Sequence, residues 1–261
     1  MIYYYGMKWS PKDHRDVVYG VAAPQEVSLP VRTNNKALVD WEAYSQAKTS
    51  SCTSHAAVGL NRFVNKREGL PATLPSRLFH YWVERRYEGT LAKDEGATIR
   101  SSMRVLANIG VCPEEDFPFV KENLWNHPSD HCFKDAVQNM VKQYIRIDKT
   151  PYNLKQSLVD GYPFVFGMQI YSSFENDSVA KTGIVPYPVR SDKIVGGHAI
   201  LCLDYDDEKD WYVIMNSWGK GWGDNGFCYI PQPVMHSALC DDCFSIRSME
   251  TLDPNRLYKA L

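Results

Sequence analysis

The chain contains no apolar run near the roughly 20 residues that a membrane-spanning helix requires, because charges and glycines interrupt every hydrophobic stretch. Residues Met1 to Ser10 lack the basic start, apolar stretch and small-residue cleavage site of a secretory leader. These two absences predict a soluble, cytoplasmic chain with no membrane partner. An excess of charge is also missing: 29 Lys and Arg stand against 31 Asp and Glu, for a net charge of −2. No stripe of Lys and Arg concentrates the cations, so nucleic acid is not an expected partner. The parts of a zinc site are incomplete. His127, His131 and Cys132 lie close together, Cys52 and His55 are one helical turn apart, and Cys240 and Cys243 form a CxxC. No second pair completes the four-ligand set of a structural zinc, and no metal or other cofactor is expected. There is no internal repeat and no low-complexity tract.

The 261 residues, 44% hydrophobic and 23% charged, suffice for one large domain or two packed lobes. Seven cysteines, at 52, 112, 132, 202, 228, 240 and 243, leave at least one thiol free in any intramolecular disulfide scheme. The remaining six are expected to be reduced and buried. Residues 1–40 carry Pro11, Pro24 and Pro30 without helical periodicity and read as an extended lead-in. Ala56, Leu60, Phe63 and Val64 then recur at helical spacing between Cys52 and Glu68, with the hydroxyls of Thr49, Ser50 and Ser51 offered as N-caps and Gly69 as the stop. Further helices are predicted after Pro75 and from Ile99 to Ile109.

The second half changes period. Phe164–Ile170, His198–Leu203, Trp211–Met215 and Gly226–Ile230 are short apolar runs bounded by Gly, Asp and Pro, and these suit strands. Tyr171 to Gly197 reads as a long surface connection. The organisation expected is a mainly helical lobe over 41–145 and a mainly β lobe over 146–261, together one catalytic unit.

Chemistry enters at Cys52. At the first turn of a helix its thiol meets the positive end of the helix dipole, which favours the thiolate. Gln46, six positions upstream, carries an amide that can donate to an oxyanion alongside the Cys52 backbone N–H. Gly196-Gly197-His198-Ala199 opens an apolar strand with an imidazole at its mouth. Asn216 ends the next predicted strand, so antiparallel pairing brings its side chain beside His198 and fixes the ring, with Trp218 as a shield from water. Taken singly, each residue has an ordinary structural explanation: buried cysteine, surface glutamine, strand histidine, turn asparagine.

Together they resemble the papain-like cysteine peptidases. The resemblance runs from about Trp41 to Ile246 and rests on Gln46-Ala47-Lys48-Thr49-Ser50-Ser51-Cys52, Gly196-Gly197-His198-Ala199 and Asn216-Ser217-Trp218-Gly219. It implies an α+β, two-lobed fold, with a helical lobe packed on an antiparallel, barrel-like β lobe and the active-site cleft between them. It implies thiol-dependent hydrolysis of peptide bonds in a peptide or protein substrate, with Cys52 as nucleophile, His198 as general base and then acid, Asn216 as orienter and Gln46 in the oxyanion hole. Gly96, Gly197 and Trp218 are the implied substrate-binding positions. Thr53 stands where the family usually has tryptophan, and Thr49 where a disulfide cysteine is usual. The 51 residues before Cys52 are too few for the long helical pro-segment of secreted members and resemble a shorter bacterial and viral branch. Two alternatives stay open: a catalytically inactive peptide-binding scaffold, and acyl transfer to an amine instead of water.

Overall fold

The computed structural model describes residues 3–20 and 28–250, the last of these by its backbone alone. Pro24 and residues 251–261 lie outside the described residues.

Three helices form where periodicity places them. Helix α1 spans Cys52–Arg67 and is buried around most of its circumference, with Leu60, Phe63 and Val64 wholly enclosed. Ser51 takes its N-cap position but makes no side-chain cap. Its hydroxyl lies 2.6 Å from Thr49 Oγ1 and 3.2 Å from His55 Nδ1 instead. The first turn of α1 therefore keeps its donors clear of a capping oxygen, at the point where Cys52 sits. Helix α2, Arg77–Glu88, is capped by Ser76 accepting from Phe79 N and ends at Gly89, where φ is +71°. Helix α3, Ile99–Asn108, is capped by Thr98.

The strands, in chain order, are β1 (Met7–Lys8), β2 (Val18–Tyr19), β3 (Ala97–Thr98), β4 (Met140–Ile147), β5 (Phe164–Tyr171), β6 (Ile194–Asp206), β7 (Trp211–Met215), β8 (Phe227–Pro231) and β9 (Cys240–Glu250). Four short helices complete the framework: α4 (Asp130–Ala136), α5 (Pro151–Val159), α6 (Asp177–Thr182) and α7 (Gln232–His236). The main sheet has the order β2-β4-β9-β5-β6-β7-β8 and is open, with β2 and β8 at its edges. All its pairs are antiparallel except β2 with β4.

Strands β4 and β9 are absent from the sequence reading. The Cys-Asp-Asp-Cys start of β9 has poor strand propensity, and it is held by tertiary bonds: Asp242 Oδ2 accepts from Ser10 N at 2.6 Å. The Tyr171–Gly197 connection is also more ordered than an open loop. It contains a 3₁₀ turn at Ser172–Glu175 and helix α6, and Asp192 accepts from Ser172 Oγ, Ser173 N and Val189 N, folding it back on itself.

The sheet buries both faces. In β5, Val165 joins the core shared with α1, α2 and α3, whereas Phe164, Phe166 and Met168 point into a second core with Tyr205, Tyr212, Ile214 and Trp222. Strand β4 itself crosses residue 145. Among the described residues, no helix is long and apolar enough to cross a membrane.

One carboxylate gathers three donors of the lead-in onto strand β6, beside the backbone bond from Thr33 N to Tyr205 O. Asp204 accepts from Thr33 Oγ1 at 2.7 Å, Asn35 N at 2.6 Å and Lys36 N at 2.8 Å. Removing it leaves these donors without their charged acceptor, so Asp204→Ala should cost about 2 kcal/mol or more. The check is a urea titration: the midpoint should fall with an unchanged slope, and an unchanged midpoint would rule out the strap.

Candidate active site

The packing of α1 on β6 sets the site. Ala199, the residue after His198, directs its backbone N–H at the Cys52 sulfur, as do Thr53 and Gly6. His198 Nε2 is 2.8 Å from Asn216 Oδ1. This follows from the antiparallel register of β6 and β7, in which Leu201 opposes Met215 and so carries Asn216 back toward His198, which lies inside β6 rather than at its mouth. Ser217 N also donates to Asn216 Oδ1, at 2.8 Å. An Nε2–H donor leaves Nδ1 of a neutral ring as an acceptor, and His198 Nδ1 is buried without a hydrogen-bond partner among the described residues. The Trp218 ring stacks on the imidazole, with centroids 5.0 Å apart.

Gln46 is wholly buried. Its Oε1 accepts from Ser217 Oγ at 2.6 Å, which orients the amide so that Nε2 donates to Thr49 O at 2.9 Å and Tyr4 O at 3.1 Å. Sequence reading brings forward neither Ser217 nor Tyr4. The amide expected to face an oxyanion faces a carbonyl of the chain's own lead-in.

Residues 3–9 occupy the cleft. Tyr3 stacks on Trp218 at 4.1 Å, Tyr5 lies edge-on to His198 at 5.9 Å, and Gly6 O accepts from Ala97 N at 2.8 Å. Strand β1 then runs parallel to β3. Gly96, at φ +78°, lets the backbone of Gly6 come into direct contact, since a Cβ there would overlap the Gly6 carbonyl. Gly6 is itself pressed on the Ser50 carbonyl, with no room for a Cβ. Gly96, Gly197 and Trp218, the three candidate substrate contacts, thus all touch or adjoin this segment. The turn-rich lead-in, with a glycine between three tyrosines and Met7, is its local sign in the sequence.

Enclosure decides the ionisation. Cys52 and His198 are both 0% exposed. Burial pushes the Cys52 thiol up to about 12, more than the backbone N–H groups around it offset. Burial also brings the His198 imidazole down to about 4, against the opposing bond to Asn216. The covered site therefore holds a neutral thiol and a neutral imidazole, not the ion pair that a helix N-terminus beside an imidazolium favours.

The other residues singled out in the sequence lie elsewhere. Thr53 Oγ1 donates to the buried Glu84 at 2.9 Å. His127 packs on Trp82, while His131 lies 3.6 Å from Asp116 and 3.4 Å from Asp135 at the surface. All seven cysteines are buried free thiols.

A covered cysteine, an imidazole tied to asparagine and a buried glutamine amide, on a helical layer against an open antiparallel sheet, define a cysteine peptidase of the papain type. Residues 90–247 match the papain family cysteine protease model. An uncharacterized peptidase C1-like protein of Acanthamoeba polyphaga mimivirus is 31% identical over 219 residues, 80% of this chain and 70% of that protein. The crystal structure of xylellain, a cysteine protease from Xylella fastidiosa, superposes with a TM-score of 0.88 at 33% identity, covering 94% of this chain and 96% of that one. The procathepsin B S9 structure from Trypanosoma congolense shares the fold, with a TM-score of 0.74 at 13% identity, over 95% of this chain and 87% of that one. The chain belongs to the papain family of cysteine proteases, and its chemistry is thiol-dependent hydrolysis of peptide bonds.

The neutral pair has a signature in pH. A His198 pKa depressed from 6.5 to about 4 stabilises the covered form above pH 6.5, and that contribution is lost as pH falls through 4. A Cys52 pKa raised from 9.0 to about 12 acts in the other sense: its contribution is whole below pH 9 and lost on the way to 12. Melting temperature should be flat from about pH 6.5 to 9 and fall on both sides. Iodoacetamide should label Cys52 of the intact chain more slowly than free cysteine at pH 7. Rapid labelling there would contradict a covered, protonated sulfur.

Proposed function

We propose that Cys52 is the nucleophile of this peptidase, that His198 exchanges its proton, that Asn216 orients the ring, and that Gln46 with the Cys52 N–H receives the oxyanion. We propose further that the described structure is a latent form, its cleft filled by residues 3–9. The observation that carries both readings is the Gln46 Nε2–Tyr4 O bond of 3.1 Å, a carbonyl held by the amide that would hold the reacting one.

Once the segment leaves, water reaches the sulfur and the imidazole, and the desolvation that keeps both neutral is relieved. The dipole of α1, with no side chain capping its first turn, then favours the thiolate. His198 Nδ1 takes the thiol proton while Nε2–H stays on Asn216. The thiolate attacks the peptide carbonyl, whose oxygen gathers charge between Gln46 Nε2 and the Cys52 N–H. His198 returns the proton to the leaving amine, and water hydrolyses the thioester with the same imidazole as base. Gly96, Gly197 and Trp218, now in contact with the lead-in, would face the substrate.

The division at residue 145 belongs to this reading: α1 brings Cys52 from one side, and β6 and β7 bring His198 and Asn216 from the other. So does a cytoplasmic location, which seven free thiols support.

Three variants grade the proposal. Cys52→Ala should abolish peptide hydrolysis. Asn216→Ala should lower kcat by about tenfold to a hundredfold through misorientation of the ring, leaving measurable turnover. Gly6→Val, which cannot fit against Ser50 O, should expel the lead-in and raise both hydrolysis and Cys52 labelling. If Gly6→Val leaves labelling as slow as in the unaltered chain, the segment is not the cover.

A further inference from the structure

We propose that Asp94 is a positioning residue: with Tyr81 it clamps the turn that carries Gln46 to the loop that carries Gly96, and so fixes the two walls between which a substrate backbone has to fit. The inference rests on Cys52, His198 and Gln46 acting as proposed above.

The first wall is a strained turn. Ala47 has a φ of +47°, in the left-handed region that an L residue adopts at a cost and keeps only where its surroundings hold it. Thr49 N and Oγ1 donate to Gln46 O at 3.1 Å and 2.7 Å, and Gln46 Nε2 donates back to Thr49 O at 2.9 Å. These bonds shape the turn, and Ser217 ties it to the β side through Gln46 N and Oε1. On the helical side the tie is Asp94. Its Oδ1 accepts from Ser50 N at 3.0 Å, and its backbone O accepts from Ser50 Oγ at 3.0 Å. Ser50 thus meets Asp94 twice, two residues before Cys52.

The second wall is the loop that ends at Gly96. Tyr81 Oη donates to Asp94 Oδ1 at 2.6 Å, the same oxygen that Ser50 N uses, and accepts from Gly96 N at 3.1 Å. One phenol therefore joins the carboxylate to a candidate substrate contact. Helix α2 supplies the backing. Tyr81 is wholly buried, and Arg85, one turn on and 1% exposed, sets its guanidinium carbon 4.6 Å from the Tyr81 ring centroid. Arg85 donates to Leu91 O at 3.3 Å and Lys93 O at 3.4 Å, which delivers the loop to Asp94. Neither residues 46–51 nor residues 91–97 include a cysteine, so no disulfide joins the two walls.

Gly6 shows how closely the walls stand. Its O accepts from Ala97 N at 2.8 Å, while a Cβ built on it falls 1.8 Å from Ser50 O. A substrate backbone taking that place meets the same two walls, and a shift of the turn moves Gln46 Nε2 away from the oxyanion. Alkylation of the sulfur by iodoacetamide forms no oxyanion and needs neither wall.

The test uses the full chain carrying Gly6→Val, with an acetylated dileucyl aldehyde as probe. The sulfur adds to the aldehyde carbon, the carbonyl π bond opens, and the thiol proton passes to the oxygen, so the adduct presents an oxygen to Gln46 without turnover. Protection of Cys52 from iodoacetamide measures the adduct. Asp94→Ala should weaken protection about tenfold or more, with the labelling rate in the absence of aldehyde unchanged. Asp94→Asn, whose amide oxygen can accept from both Ser50 N and Tyr81 Oη, should protect within about threefold of the parent. Tyr81→Phe keeps the ring and is the milder second variant; it should weaken protection in the same direction as Asp94→Ala.

Unchanged protection in Asp94→Ala and Tyr81→Phe overturns the proposal, as does a loss in Asp94→Asn as large as in Asp94→Ala. Labelling without aldehyde that slows in step with protection also overturns it, since the damage would then be to the fold and not to the walls. So does a chain in which Gly6→Val leaves Cys52 unlabelled, because the space between the walls would then not lead to the sulfur. A parent that is labelled yet hydrolyses no peptide sinks the catalytic reading alone, and the protection series still decides the clamp.

Discussion

Helix α1 lies against strand β6, and the approach is close: a Cβ on Gly59 would meet Leu201 Cδ2 at 3.4 Å. This contact sets the sulfur of the first helical residue beside the residue that follows His198. The other parts of the site are fixed relative to it. The register of β7 on β6 delivers Asn216, and Ser217 holds Gln46 Oε1 so that Nε2 donates to Thr49 O and Tyr4 O. Gln46 and Cys52, near one another in the sequence, thus meet the distant His198 and Asn216 where one helix packs on one hairpin.

That convergence creates a conflict between burial and charge. A dry cleft opposes an ion pair, whereas nucleophilic attack calls for a thiolate. In the proposed latent form both requirements are met, because the dryness depends on residues 3–9. At the catalytic residues the cover consists of aromatic stacking and backbone contacts, with Tyr3 on Trp218, Tyr5 near His198 and Gly6 O on Ala97 N, while Tyr5 OH donates to Glu175 and Lys8 pairs with Glu88 and Glu95 farther out. Such contacts exclude water without placing a permanent counter-charge beside the sulfur.

The cover is also tethered. Beyond residue 9, Ser10 N donates to Asp242, Arg100 pairs with Asp16 and donates to Pro11 O, and Arg146 lies 3.7 Å from Asp16. Farther along, Asp204 gathers Thr33, Asn35 and Lys36. Residues 3–9 thus continue into a strap whose later turns are also bound by charge. A tethered segment rebinds at high effective concentration, so modest contacts suffice to keep the cleft closed.

The order Gln46, Cys52, His198, Asn216 and the helix behind Cys52 are legible in the amino-acid sequence, because residue type, spacing and 3.6-residue periodicity are local properties. Strands β4 and β9 are not: paired aspartates at the start of β9 hide a strand that pairing and the Ser10 contact hold in place. The turn-rich lead-in raises the expectation that it packs along the lobes or partly covers the cleft, but which of its residues fill the cleft, and the neutrality of the cysteine and histidine, belong to tertiary structure. Gln46 and Tyr4 are 42 residues apart, and no pattern along the chain announces their bond. Desolvation, the largest cause of both pKa shifts, is a property of everything packed around a group, so residue type and spacing mark which side chains are candidates for the chemistry, and the folded chain sets their ionisation.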